Sequence, residues 1–347
     1  MSSKLNRVEW VDALKGFAII LIVFGHTIPY SNHLSSLQNY LVSFHVPLFF
    51  IISGLLYKEK KETFLKFFKR KFMTIMIPFY IFGLLYLIPY YFWGNSVAES
   101  LGKTNFNLIG NMLSLLYGTG RNEMLAQNSS LWFLPCYFST VCIQKIIDIN
   151  IKDSLKNNII ISFMLFILGF FIYKFFNITL PLCLEIAIVM CGFVYFGKII
   201  QKIKILENKY QKILIIPFLG LGFVFHLING HVSCMANYYS HYYLIFVVSS
   251  LFSILGYVIF FKNYNNKMLS YLGKISLPIL LLHKPIILLF QTKLGIITNY
   301  MISSNIYMEL LLCIFCLIIS FVFCILFYNI SHKYFPILYG ELKGSKK

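Results

Sequence analysis

Apolar residues in this chain run in long unbroken blocks and do not alternate with polar ones. Blocks long enough to cross about 30 Å of hydrocarbon at roughly 1.5 Å per residue occur at ten places: residues 14–30, 38–57, 72–93, 130–146, 157–176, 180–199, 211–229, 241–261, 275–291 and 306–328. Segments of that length, apolar on every face, predict transmembrane helices, and the short Lys- and Asn-rich stretches between them predict loops. The expected fold is an all-α integral membrane protein of about ten transmembrane helices. No internal repeat or low-complexity tract divides it, and the longest loop, roughly residues 94–129, is too short to be a domain. A single polytopic membrane domain over residues 1–347, with no appended soluble domain, is therefore expected.

Composition supports this reading, with 59% hydrophobic residues, 12% charged residues and a mean hydropathy of +0.75, more apolar than soluble globular chains. Charge then orients the chain. With the N-terminus inside, twenty-four cations fall in inner segments and four (Lys103, Arg121, Lys174, Lys293) in outer ones, the bias that places both termini in the cytosol. The net charge of +18 is thereby assigned to anionic lipid headgroups, so membrane lipids are expected partners and nucleic acid is not.

Asp12 and Lys15 at the entry of the first span, with no small-residue cleavage site after it, argue against a removable signal peptide. The eight cysteines form no framework, and Cys313 and Cys316, lacking a second pair or a neighbouring His, read as packing residues; no metal is expected. The stretch KEKKETFLKFFKRK from Lys58 to Lys71 reads as an amphipathic interfacial helix. Its cations, Lys69, Arg70 and Lys71 among them, would also attract a polyanionic cytosolic substrate.

Depth singles out four ionisable residues. Counted at roughly 1.5 Å per residue from the nearest inner cation, His26 lies about 16 Å in, His45 and Glu185 about 20 Å, and His283 about 14 Å. Four such groups from four spans in one layer point to an enclosed polar cavity rather than to separate helix–helix hydrogen bonds.

At these residues the chain resembles a known family. Trp10, Asp12, Lys15 and Gly16, with His26 following Lys15, then FHVPLFFIISG (Phe44 to Gly54), IPFY (Ile77 to Tyr80), LWFLPCYF (Leu131 to Phe138) and YLGKISLPILLLHKP (Tyr271 to Pro285) resemble the acyltransferase 3 superfamily, in particular its fucose 4-O-acetylase-like branch. The superfamily usually carries Arg where this chain has Lys15, which replaces a bidentate fork with a point charge. The resemblance implies a bacterial inner-membrane enzyme that takes an acyl group, usually acetyl, from cytosolic acyl-coenzyme A. Acetyl-CoA is thus the expected donor. The implied acceptor is a carbohydrate hydroxyl, lipid-linked or on a nascent exopolysaccharide or capsule. With no appended domain, the membrane part would complete the transfer itself. An A/T-rich bacterial source also fits three Arg among thirty cations.

The residues suit that chemistry. Acyl transfer from a thioester to a hydroxyl needs a base of near-neutral pKa, and His26 is the candidate, with His45 and His283 completing or supporting the site. Asp12, about 21 Å from His26 along a continuous helix, marks the inner mouth with Lys15, where a coenzyme phosphate would bind. Ser53 is a further candidate, although Ser-Gly in a helix suits close packing. Trp132 would serve as a sugar platform or an interfacial anchor. The alternative is a polytopic transporter or flippase for polysaccharide intermediates; a purely structural subunit would not need the buried ionisable layer.

Overall fold

A computed structural model describes residues 8–28, 33–100, 108–121, 124–125, 128–203, 205–208, 210–293 and 306–341. Of the orientation-bearing cations, Lys4, Arg7, Lys103, Lys204, Lys209, Lys343, Lys346 and Lys347 lie outside these residues. The helices are α1 (Glu9–Thr27), α2 (Ser35–Leu55), α3 (Phe64–Lys71), α4 (Ile77–Ser100), α5 (Leu108–Tyr117), α6 (Phe133–Asn150), α7 (Leu155–Phe175), α8 (Leu184–Ile203), α9 (Ile215–Asn229), α10 (Tyr243–Asn263), α11 (Lys267–Lys274), α12 (Ser276–Lys293) and α13 (Ile306–Tyr334). Among the described residues nine helices are long and apolar enough to span a membrane, and α11 and α12, bent by 79° at their junction, are so only when taken together. The protein is an all-helical polytopic membrane protein.

Helix ends sort by charge. Lys262 lies over the Trp10 ring and Asn265 donates to Glu9, joining the start of α1 to the end of α10. Gln201 donates to the carbonyls of Leu55 and Tyr57, and Lys202 pairs with Asp153, joining the ends of α2 and α8 to the start of α7. These ends form one cation-rich face. At the other end, Gln38 donates to Gly25 O, Tyr173 to Ser240 O and Arg121 to Ile178 O. Up-and-down connection through short loops produces this segregation, because each span reverses the chain.

Two close crossings set the bundle. A Cβ at Gly54 would sit 2.0 Å from Val194 O, and one at Gly197 would sit 2.2 Å from Ile51 O, so α2 and α8 touch backbone to backbone. Gly16 and Gly273 do the same for α1 and α11, where a Cβ would come within 1.9 Å of Leu269 O and 1.8 Å of Asp12 O. Without a hydrophobic drive between helices in lipid, such small-residue contacts are what bring helices together.

The expected interfacial helix is only partly separate. Thr63 caps α3 by accepting from Lys66 N, and the helix then runs through a π-helical stretch, Phe72–Met76, into α4 without a break. Phe64, Phe68 and Phe72 line up along this run, with ring centroids 5.9 and 6.2 Å apart. Arg70 and Lys71 therefore turn towards the bundle, while Lys69 faces outwards.

Candidate active site

A cavity of about 780 Å³ opens at the cation-rich face between α1, α2, α3, α6 and α12. That volume lies in the range of small-molecule sites. Lys15, Lys58, Lys60, Arg70, Lys71, Lys145 and Lys274 contribute to its wall; its deepest residues are apolar, Ile22, Phe49, Phe133 and Leu280. Beside the mouth, wholly buried Lys198 holds Asp148 at 2.8 Å and Asp153 at 3.3 Å, with its ammonium 3.9 Å from the Tyr57 ring centroid. Tyr195 donates to the same Asp148 at 2.7 Å.

One helical turn above the cavity's apolar end, at roughly 6 Å, the histidines converge. His26 follows Ile22 by four residues in α1 and His283 follows Leu280 by three in α12; their ring centroids are 5.3 Å apart. Ser130 stands between them, its Oγ 3.4 Å from Nε2 of each, at the long end of hydrogen bonding. On the far side of His26, Lys284 Nζ lies 3.2 Å from Nδ1. His45, from α2, is within electrostatic range of His26.

Two helix prolines shape the surroundings of these side chains. His45 and His283 each precede a proline by two residues, and each ring places Nδ1 on the carbonyl four residues back, Leu41 O at 2.6 Å and Ile279 O at 2.9 Å. A proline inside a helix lacks the N–H that its i−4 carbonyl would accept. Pro47 frees Ser43 O, which accepts from Ser250 of α10 at 2.7 Å. Pro285 frees Leu281 O, which accepts from Tyr86 at 3.0 Å and from Asn128 Nδ2 at 3.1 Å. Asn128 Oδ1 in turn caps the Ser130 N–H at the start of the 3-10 turn Ser129–Trp132 that leads into α6. The carbonyl released by Pro285 thus anchors the turn that carries Ser130 to His283.

Other residues singled out from sequence fall elsewhere. Asp12 and Lys15, 3.5 Å apart, line the cavity. Ser53 also lines it and bonds the Tyr137 hydroxyl at 3.1 Å, while its neighbour Gly54 makes the helix crossing. Lys69 does not reach the cavity wall, unlike Arg70 and Lys71, and Arg70 is also bound to Glu62 at 2.6 Å. Trp132 is buried, 7% exposed, against Phe133, so it presents neither an interfacial anchor nor an open sugar platform.

Of the four ionisable groups expected together, the structure gathers His26, His283 and His45 and gives Glu185 a different partner. Glu185 lies in the first turn of α8, accepting from Leu180 N at 3.1 Å and facing Arg121 at 3.8 Å. His26 lies in the last turn of α1, seventeen residues beyond Glu9. Lys198 is buried inside the bundle and Lys15 is six residues into its helix, so these lysines do not stand at equivalent positions from which depths could be compared. Ser130, Asn128 and Lys284 went unmarked in the sequence, although Lys284 stands within the HKP motif and Ser130 immediately precedes LWFL. The repeated His-x-Pro pattern was the available signal.

Fold and site together describe a helical membrane protein with a cation-lined cavity next to an imidazole–hydroxyl cluster. A family model described as an acyltransferase domain matches residues 8–329. The chain belongs to the acyltransferase 3 family and is a membrane acyltransferase. No curated protein and no solved structure matches it.

Proposed function

We propose that the protein moves an acetyl or similar acyl group from cytosolic acyl-coenzyme A to a hydroxyl of a lipid-linked sugar or nascent surface polysaccharide, as a multi-pass protein of a bacterial cell membrane in the fucose 4-O-acetylase-like branch. The observation that carries this reading is the cavity: cationic at its mouth and apolar at its end, it ends one turn short of the histidines. A coenzyme has the complementary layout, with phosphates at one end and the acyl thioester at the other. Lys15, Arg70 and Lys71 are assigned to the phosphates. His26, His45 and His283 are assigned to the catalytic centre, where proton transfer contributes roughly 10²- to 10⁴-fold in such reactions.

The transporter reading draws on the broken α11–α12 span, since discontinuous helices line many transport sites. One broken pair is present among the described residues, without a counterpart in a second half. Purified protein in lipid nanodiscs, given radiolabelled acetyl-CoA and a panel of oligosaccharide acceptors, separates the readings. Acceptor-dependent release of free coenzyme, abolished in a His26→Ala/His283→Ala double variant, is expected. Absence of both donor binding and transfer would overturn the proposal. Comparison by NMR of surface-glycan acetylation between a strain carrying the gene and its deletion identifies the acceptor.

A further inference from the structure

The bonds around Ser130 fix where the protons sit. A carbonyl only accepts, so the 2.9 Å contact to Ile279 O puts the hydrogen of neutral His283 on Nδ1 and leaves a lone pair on Nε2. Ser130 has one hydrogen, and it must point to that lone pair. Its oxygen is then an acceptor towards His26, so Nε2 of His26 carries a hydrogen and Nδ1 a lone pair. The other end of the chain gives the same answer independently: a lysine ammonium only donates, and Lys284 faces that Nδ1. All four links run in one direction, from Lys284 through His26 and Ser130 to His283 and Ile279 O.

We propose that this one-way chain gives the two histidines opposite roles, with Lys284 and Ser130 as the residues that set them. This rests on the acyl-transfer reading above. His283 Nε2 is the proton acceptor, reached through the Ser130 hydroxyl. His26, the base expected from the motif, is held as a hydrogen-bond donor at Nε2 and is suited to stabilise negative charge developing on the Ser130 oxygen as it relays the proton. In the reaction the acceptor hydroxyl passes its proton to Ser130 Oγ while Ser130 passes its own to His283. The freed oxygen forms a C–O bond to the acyl carbon, the C–S bond breaks, and the coenzyme thiolate recovers the proton from the His283 imidazolium. Nothing is oxidised or reduced, and Ser130 ends as it began. His45 shares the His-x-Pro arrangement and the same ring orientation but is not a member of this chain.

The test has a spectroscopic arm and a kinetic arm. In protein carrying ¹⁵N-labelled histidine in nanodiscs, with ring signals assigned by His→Gln variants, His26 is expected as the Nε2–H tautomer and His283 as the Nδ1–H tautomer. Lys284→Met should release His26 into a mixture of tautomers and lower kcat without changing the KM for acetyl-CoA. Ser130→Ala should lower kcat roughly 10²-fold or more, close to the loss in His283→Ala, because residues acting as a unit lose the same step. Ser130→Thr, which keeps the hydroxyl, should recover most of that loss. His26 found as the Nδ1–H tautomer in the native protein, or native kcat in Ser130→Ala, would overturn the proposal. If no acyl-CoA is turned over by any form, the functional reading fails, while the tautomer measurement still decides the proton chain.

Discussion

Replacing Lys198 with Met tests the buried charge network that ties α2, α6, α7 and α8 together beside the cavity mouth. Lys198 is fully buried, and its ammonium lies 2.8 Å from Asp148 and 3.3 Å from Asp153. Deleting one partner of a buried ion pair typically costs about 3–5 kcal/mol, since the other charge stays buried and uncompensated. Here the two carboxylates are not equally stranded. Asp153 keeps Lys202 at 3.0 Å and Asn158 at 2.9 Å, whereas Asp148 keeps neutral donors, Tyr195 at 2.7 Å, Gln144 at 3.3 Å and the Tyr57 hydroxyl. The loss should therefore fall near the lower end, at about 3 kcal/mol, and arise mainly at Asp148. The Lys198→Met/Asp148→Asn double variant should recover about 2 kcal/mol of it, a coupling within the range seen for direct neighbours. Reversible unfolding in mixed micelles of increasing denaturing-detergent fraction measures all three differences. A Lys198→Met loss under about 0.5 kcal/mol, the scatter of an ordinary surface substitution, or a double variant no better than the single, would refute the reasoning.

Donor kinetics should separate three neighbouring cations: Lys15→Gln and Lys71→Gln, which line the cavity, should raise the KM for acetyl-CoA and flatten its salt dependence, while outward-facing Lys69→Gln should leave both unchanged. Gly54→Ala should destabilise by about 1–3 kcal/mol in the same unfolding assay, because its methyl would meet the backbone of Val194 and not a side chain that can turn away. Burial pushes the Asp153 carboxyl up, but hydrogen bonds from Asn158 and Lys202 and the charge of Lys198 outweigh it and hold the group below its usual value. The depressed pKa adds stability above the unfolded value near 3.8 and loses it as pH falls through the folded value; unfolding of Asp153→Asn should thus differ from native at neutral pH and converge with it only as pH falls from 3.8 through the lower folded value. On a cysteine-free background, Tyr242→Cys should be labelled from outside and Met268→Cys only after permeabilisation; the opposite pattern would reverse the orientation read from the cations.

The sequence by itself determined the class of protein and the outline of its architecture. Apolar block length is a one-dimensional quantity, set by bilayer thickness and helical rise, so the apolar spans are legible without any tertiary contact, whereas the 79° bend between α11 and α12 is not. Motif residues were legible too, because His26, His45 and His283 are polar exceptions in apolar blocks. What the sequence did not determine was which exceptions meet. Glu185 and His26 looked alike when counted from a lysine, yet one pairs with Arg121 and the other with Lys284, because depth along a helix does not say which neighbour its side chain faces. Ser130 carried no signal at all, being one small polar residue among many. Its place depends on Pro285 releasing Leu281 O to Asn128, a contact across 153 residues. Hydrogen-bond direction among Lys284, His26, Ser130 and His283 likewise arises only after three separate segments are packed together, because a side chain's role as donor or acceptor is set by the partners that packing supplies.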